Sequence, residues 1–118
     1  MKNYHLTLPL PPTLNHTYRF AGKIMYKTSQ AKEWETEAQW LIKKEKRGAK
    51  AITGGVEIGL TLYLKYDRDI DSSFKLLFDC LQKCGMLEND KLITSLHVFK
   101  FKDKQNPRLE VTVTEIDS

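Results

Sequence analysis

Asp67, Asp69 and Asp71 crowd into five residues of the stretch YDRDIDSSFKLLFDCL, Tyr66 to Leu81, in a chain whose formal net charge is +4. Their mutual repulsion is a cost unless a protein cation, a helix N-terminus or a metal ion offsets it. Asp69 and Asp71 are two apart at the exit of a strand pattern, so in extended chain both carboxylates leave on one side and can converge. Lys75 follows Asp71 by one helical turn, within reach of the cluster. LEND, Leu87 to Asp90, supplies a further carboxylate before the next strand pattern, and Asp90 is expected beside Asp69 and Asp71 if the two strands are neighbours. Three hard oxygen ligands, completed by water and a substrate phosphate, suit Mg²⁺, and no His/Cys set competes for a softer ion. The chemistry such a set permits is phosphodiester hydrolysis, with Lys75 holding the scissile phosphate. A plainer reading stands beside it: Asp71 caps the following helix, and Asp67 and Asp69 are solvated charges near its positive end.

The elements that must position these residues follow from periodicity. YHLTLPL, VEIGLTLYLK and RLEVTVTEI alternate and predict strands, with Tyr4, Leu6, Leu8 and Leu10 on one face of the first, Val56, Ile58, Leu60, Leu62 and Leu64 on one face of the second, and Leu109, Val111 and Val113 on one face of the last. LITSLHVFKF, Leu92 to Phe101, is apolar on both faces and reads as a more central strand. The link KDKQNP before Arg108 suits a hairpin turn. SQAKEWETEAQWLIKKEKRG predicts a helix capped by Ser29, with Ala31, Trp34, Ala38, Leu41 and Ile42 buried and Gly48 as its stop. A second helix runs from about Ser72 to Lys83, burying Phe74, Leu77, Phe78 and Leu81 and ending at Gly85. The order β-α-β-α-β-β implies an α+β fold, a mixed sheet with two packed helices, in one domain over residues 1–118. Between the first strand and first helix, PPTLNHTYRFAGKIMYKT fits a small flap hairpin with Gly22 at its tip. Its basic and aromatic residues suit phosphates and unstacked bases, or else its tyrosines simply pack on the sheet.

Bulk properties narrow the class. Nineteen Lys and Arg against fifteen Asp and Glu are compatible with a polyanionic partner without singling one out. No apolar run approaches a membrane span and no signal peptide is present, so a cytoplasmic protein without membrane contact is expected. Cys80 and Cys84 are expected as reduced, buried or half-buried thiols. No Gly-rich phosphate loop, nucleophile elbow or Ser/His/Asp set is present, and no small-molecule cofactor is implied.

LPLPPTLNHTYR (Leu8 to Arg19), DIDSSFKLLFDCLQKCG (Asp69 to Gly85) and END (Glu88 to Asp90) together resemble the conserved segments of the RusA family of Holliday-junction endonucleases, small enzymes often found in prophages. The resemblance spans nearly the whole chain. It implies that Asp69, Asp71 and Asp90 are metal-binding catalytic carboxylates and Lys75 the catalytic lysine. It implies Mg²⁺ as cofactor, with Mn²⁺ as a substitute, and a bacterial or phage-encoded homodimer that nicks a four-way DNA junction symmetrically. Arg19 and Lys23 on the flap, and some of Lys43, Lys44, Lys46 and Arg47, then become DNA contacts, to phosphates rather than bases. A related metal nuclease for other branched DNA and a non-catalytic junction-binding protein are the competing readings. Ser72 stands where the family has Asn, Asp67 is an extra charge expected to be solvated, and Asp79 is expected to pair with Lys75 or Lys83. Trp34 reads as core and Trp40 as a dimer contact, while the roles of Phe99 and Phe101 stay open.

Overall fold

Five apolar residues at every second position, Val56, Ile58, Leu60, Leu62 and Leu64, make β4 (Val56–Leu64), and all five are buried. The computed structural model describes residues 1–71 and 73–116, and of Leu14 the backbone only. β1 (Asn3–Leu8) and β6 (Arg108–Glu115) alternate in the same way and bury Leu6, Leu8, Leu109, Val111 and Val113 on the same layer. With β5 (Ile93–Lys102) they form a mixed sheet in the order β1-β6-β4-β5. β1 and β4 flank β6 antiparallel, whereas β5 runs parallel to β4 from Val56↔Ile93 to Leu64↔Lys102. At Gly59 a Cβ would meet Thr112 Oγ1 of β6 at 2.5 Å, so a side chain there would have to displace the Thr112 hydroxyl.

Two helices cover one face of the sheet. α2 (Ser29–Lys46) buries Ala31, Trp34, Ala38 and Ile42, and Trp34 Nε1 donates to Pro9 O at 2.8 Å. Its N-cap is Thr28, one residue before the expected Ser29, and the Thr28 side chain accepts from Ala31 N. Arg47 and Gly48, both at positive φ, end it. α3 (Phe74–Lys83) buries Leu76, Leu77, Cys80 and Leu81. Phe74 and Phe78 flank that stripe as a tilted ring pair instead of forming its centre, which corrects the predicted face. Cys80 and Cys84 are buried free thiols, and the Cys84 contact and burial push the Cys80 thiol up, away from reactivity.

Between β1 and α2 lie a single-turn α1 (Leu14–Thr17) and the hairpin β2 (Tyr18–Ala21) with β3 (Ile24–Lys27). This is the flap, turning at Gly22 with φ 64°. Its tyrosines differ: Tyr18 is half-buried, while Tyr26 is exposed with Phe20, Ile24 and Met25.

Two expectations fail for topological reasons. β5 is an edge strand, not a central one; its apolar residues on both faces include Leu96, Phe99 and Phe101, all exposed. The turn after it joins no hairpin, because β6 pairs with β4 and β1. Residues 103–107 instead cross the end of β4, with the Asp103 carboxylate accepting from Gln105 N and Asn106 N. Among the described residues no helix is long and apolar enough to cross a membrane.

Candidate active site

The loop leaving β4 is strapped from both sides. Lys100 on β5 donates to Asp67 Oδ1 at 2.7 Å and to Arg68 O at 3.0 Å. Arg68 is half-buried and donates to Pro11 O at 2.6 Å and Ser73 Oγ at 3.2 Å, which ties the loop to the proline segment after β1. Burial holds the Arg68 pKa below its usual value, and the Lys100 hydrogen bond and charge hold Asp67 below its own. Asp67 is therefore paired, although its side chain is 82% exposed, and the expectation of a merely solvated charge is corrected. The sequence reading missed Arg68; a lone arginine among carboxylates offered no cue to its burial.

Asp69 and Asp71 stand exposed on this strapped loop, and Lys75 is exposed in the first turn of α3. Ser73, not Asp71, is the N-cap, without a side-chain capping bond, and the contact from Phe74 N goes to the Asp71 carbonyl. The Asp71 carboxylate thus makes no hydrogen bond or ion pair among the described residues, and the helix-cap reading loses its main support. Ser72, the departure from the family's Asn, lies outside the described residues.

Asp90 is placed differently from expectation. β4 and β5 are neighbours, but because they are parallel the entry to β5 lies at the opposite end from the exit of β4. Ile52 pairs with the segment after α3, donating to Met86 O at 2.9 Å and accepting from Glu88 N at 3.0 Å. Asn89 then caps a 3₁₀ turn (Asp90–Leu92), and Asp90 N donates to Gln82 Oε1 at 3.3 Å. Asp90 thus sits at the C-terminal end of α3, and Asp69 and Asp71 precede its N-terminus. Gln82 lies about 12 Å along the axis from Phe74, and β4 spans roughly 26 Å. Accordingly, no three His, Cys, Asp or Glu side chains among the described residues lie close enough to hold one metal ion. The donor type fits a hard cation, but α3 separates Asp90 from Asp69 and Asp71.

The basic residues fall in two groups, on the flap and at the end of α2. On the flap Arg19 donates to Asn15 O at 3.1 Å and Lys23 is exposed at the turn. Thr28 N donates to Thr17 O and Lys27 Nζ lies 2.6 Å from the buried Glu35 of α2, so the flap base is anchored. Lys83 donates to the other Glu35 oxygen at 3.5 Å, and among the described residues Asp79 pairs with neither Lys83 nor Lys75. Lys43, Lys44, Lys46 and Arg47 end α2 near the Gly85 turn, on the Asp90 side; a Cβ at Gly85 would sit 3.6 Å from Lys46 Nζ. Trp40 is exposed beside them, with Lys44 Nζ 5.1 Å from its ring centroid.

Comparison with known proteins agrees with this arrangement of segments. A family model described as Endodeoxyribonuclease RusA matches residues 9–114. A protein of Aquifex aeolicus named Crossover junction endodeoxyribonuclease RusA is 32% identical over 86% of this chain and 80% of its own. Proteins of the same name from Enterobacteria phage 82 and Escherichia coli K12 are 28% and 27% identical, each over 98% of both chains. The match takes in the proline segment, the aspartate loop, α3 and the Asp90 turn alike, and the chain belongs to the RusA family of endodeoxyribonucleases.

Proposed function

We propose that this protein is a Mg²⁺-dependent, structure-selective endonuclease that resolves four-way DNA junctions by paired symmetric nicks, in the cytoplasm of a bacterium. The observation that carries the reading is the family match over nearly the whole chain, with Asp69, Asp71, Lys75 and Asp90 all present in it. Relatives covering the same span are named for cutting crossover junctions.

The parallel β4–β5 pair bears on how the site is completed. A homodimer whose two-fold axis sets Asp90 of one copy against Asp69 and Asp71 of its partner supplies three carboxylates at each of two equivalent sites. Two such sites match a substrate with two strands to cut. Asp69, Asp71 and the partner's Asp90 would hold the ion, which when bound supplies Lewis acidity toward the phosphodiester and an activated water. Asp71, exposed and without an ion pair among the described residues, would face the ion. Lys75, one turn on, reaches the phosphate and offsets charge that grows on its oxygens in the transition state. Arg68 and Lys100 position the loop and keep Asp69 and Asp71 from having to order on binding. Arg19 and Lys23 on the flap and the Lys43–Arg47 run at the end of α2 would contact phosphates, so junction shape rather than base sequence governs recognition.

The test is cleavage of a synthetic four-way junction beside a linear duplex and a flap, with Mg²⁺ or EDTA, by wild type and Asp71→Asn. Paired Mg²⁺-dependent nicks confined to the junction, lost in a variant that still retards it on a gel, are expected. Equal cutting of the flap would favour a nuclease for branched DNA in general. Binding without cutting by wild type would make the protein a junction binder and end the catalytic reading.

A further inference from the structure

The two edges of the sheet differ. β1, six residues long, alternates buried leucines with the polar Asn3, His5 and Thr7. β5 is ten residues long and exposes Leu96, Phe99 and Phe101, at 38%, 58% and 54%. Its register against β4 puts Leu96 and Val98 beside Ile58 and Leu60 on the helix-covered face, and Phe99 and Phe101 beside Thr61 and Tyr63 on the open one. Phe101 is held there, stacked on Tyr63 at 5.9 Å between centroids. Among the described residues no backbone hydrogen bond reaches the outer side of residues 94–102. β5 thus has the apolar make-up of an interior strand at a border position. The features that normally guard such an edge are few: no proline interrupts it, and of its two lysines Lys100 is committed to Asp67.

The two ends of this strand carry opposite excess charge. Glu88 and Asp90 precede it, with Lys91 beside them, whereas Lys100, Lys102 and Lys104 close it around Asp103. Asp103 is already paired with Arg108. Among the described residues Glu88, Asp90, Lys102 and Lys104 form no ion pair. A strand of this kind is complementary to itself when turned end for end.

We infer that β5 is the contact between two copies of this chain: their β5 edges pair antiparallel about a two-fold axis at Val98, joining two sheets into one of eight strands. Residues 94–102 of each copy are then paired. Val98 meets the partner's Val98, Phe99 meets the partner's His97, and the two Phe99 rings lie on the diagonal, within reach of each other. The inference rests on the junction-cutting dimer proposed above and supplies its interface. Because β4 and β5 are parallel, the aspartate loop leaves the sheet at the end where β5 also finishes. Antiparallel pairing therefore sets the Asp90 turn of one copy beside the partner's β5 exit. That turn is then two strand spacings, about 10 Å, from the strand that feeds the partner's aspartate loop. The exposed Trp40 belongs to α2, which packs on β1 at the far edge, and is no part of this contact.

The experiment follows the full chain by sedimentation velocity and assays the same samples on a four-way junction with Mg²⁺. Wild type is expected to sediment as a dimer. Phe99→Glu should raise the dimer dissociation constant at least about a hundredfold, since symmetry counts the change twice. Its far-UV circular dichroism should match wild type, because the Phe99 side chain is exposed. Val98→Cys treated with a short bismaleimide should give a covalent dimer. Wild type, whose Cys80 and Cys84 are buried, and Thr7→Cys on the β1 edge should not. An unchanged dimer in Phe99→Glu with no cross-link at Val98→Cys would overturn the β5 contact and, if wild type cuts the junction, leave the nuclease reading intact. Cross-linking through Thr7→Cys instead would overturn it by moving the contact to β1. A Phe99→Glu dimer of wild-type stability that no longer binds the junction would overturn it by turning β5 toward DNA. A wild type that neither dimerises nor cuts would overturn both readings.

Discussion

At one end of the parallel β4–β5 pair the chain leaves the sheet in a loop strapped by Arg68 and Lys100, with Asp69 and Asp71 exposed. At the other end it enters the sheet through a 3₁₀ turn that fixes Asp90 beside Gln82, near the basic end of α2. Both ends hold exposed carboxylates on a well-anchored backbone, and among the described residues neither gathers three groups able to hold a metal ion. The difference between them is direction: a helix that returns the chain for a parallel strand separates the residues on either side of it by its own length. A motif that reads as one unit along the chain is thus divided in space, and under the proposed function a two-fold partner rejoins it.

Removing a carboxylate from either end should have the largest effect. Asp71→Asn and Asp90→Asn are each expected to lower junction cleavage at least about a hundredfold, measured as nicks per enzyme under Mg²⁺. Their melting temperatures should stay close to wild type, since both side chains are exposed. If only Asp71→Asn lost activity, the Asp90 end would drop out of the site. The opposite pattern is expected in the core: Leu62→Ala should cost about 2–5 kcal/mol in urea unfolding while the folded fraction still cuts.

Glu35 offers a sharper intermediate case, because it joins the flap to both helices through Lys27 and Lys83. Glu35→Gln should cost about 1–2 kcal/mol and expose the flap to limited proteolysis, with cleavage activity reduced less than by Asp71→Asn. Unchanged flap protection would show that backbone bonds such as Thr28 N to Thr17 O suffice. The smallest effect is one of pH. Glu35 raises the Lys27 pKa above its ordinary 10.5, so the folded state holds this proton more tightly than the unfolded chain does. That stabilisation is fully present below 10.5 and is lost as pH rises through the folded value. Between pH 9 and 11.5 the melting temperature of wild type should therefore fall more steeply than that of Glu35→Gln; parallel curves would remove the pair from the account.

What was legible in the sequence follows the same division. Period-two alternation placed β4, β1 and β6 with the right residues inward, because each has one covered face. The flap and its turn were legible through Gly22 and the polar run around it. β5 was misread because apolar residues on both faces signal cover without saying whether the same chain provides it. Parallel pairing left no mark in either strand, so the position of Asp90 was out of reach, as was the absence of a hairpin after Asn106-Pro107. Trp34 as core was readable from the helical stripe; the burial of Glu35 on the same helix was not, since its partners lie on the flap and on α3. The aspartates and Lys75 were singled out by type, spacing and the family resemblance, whereas Lys100, which straps their loop from β5, shares no local pattern with them.

The most direct test of a junction endonuclease completed across two copies is complementation between the two inactive variants. Asp71→Asn and Asp90→Asn are mixed, allowed to exchange subunits and assayed on a four-way junction with Mg²⁺. A mixed dimer retains one intact set, Asp69 and Asp71 of one copy with the partner's Asp90, so nicking should return to about a quarter of the wild-type level, mostly as single nicks. A mixture as inert as its parents, under conditions where wild-type and tagged subunits demonstrably exchange, would contradict the account and return all three carboxylates to one chain.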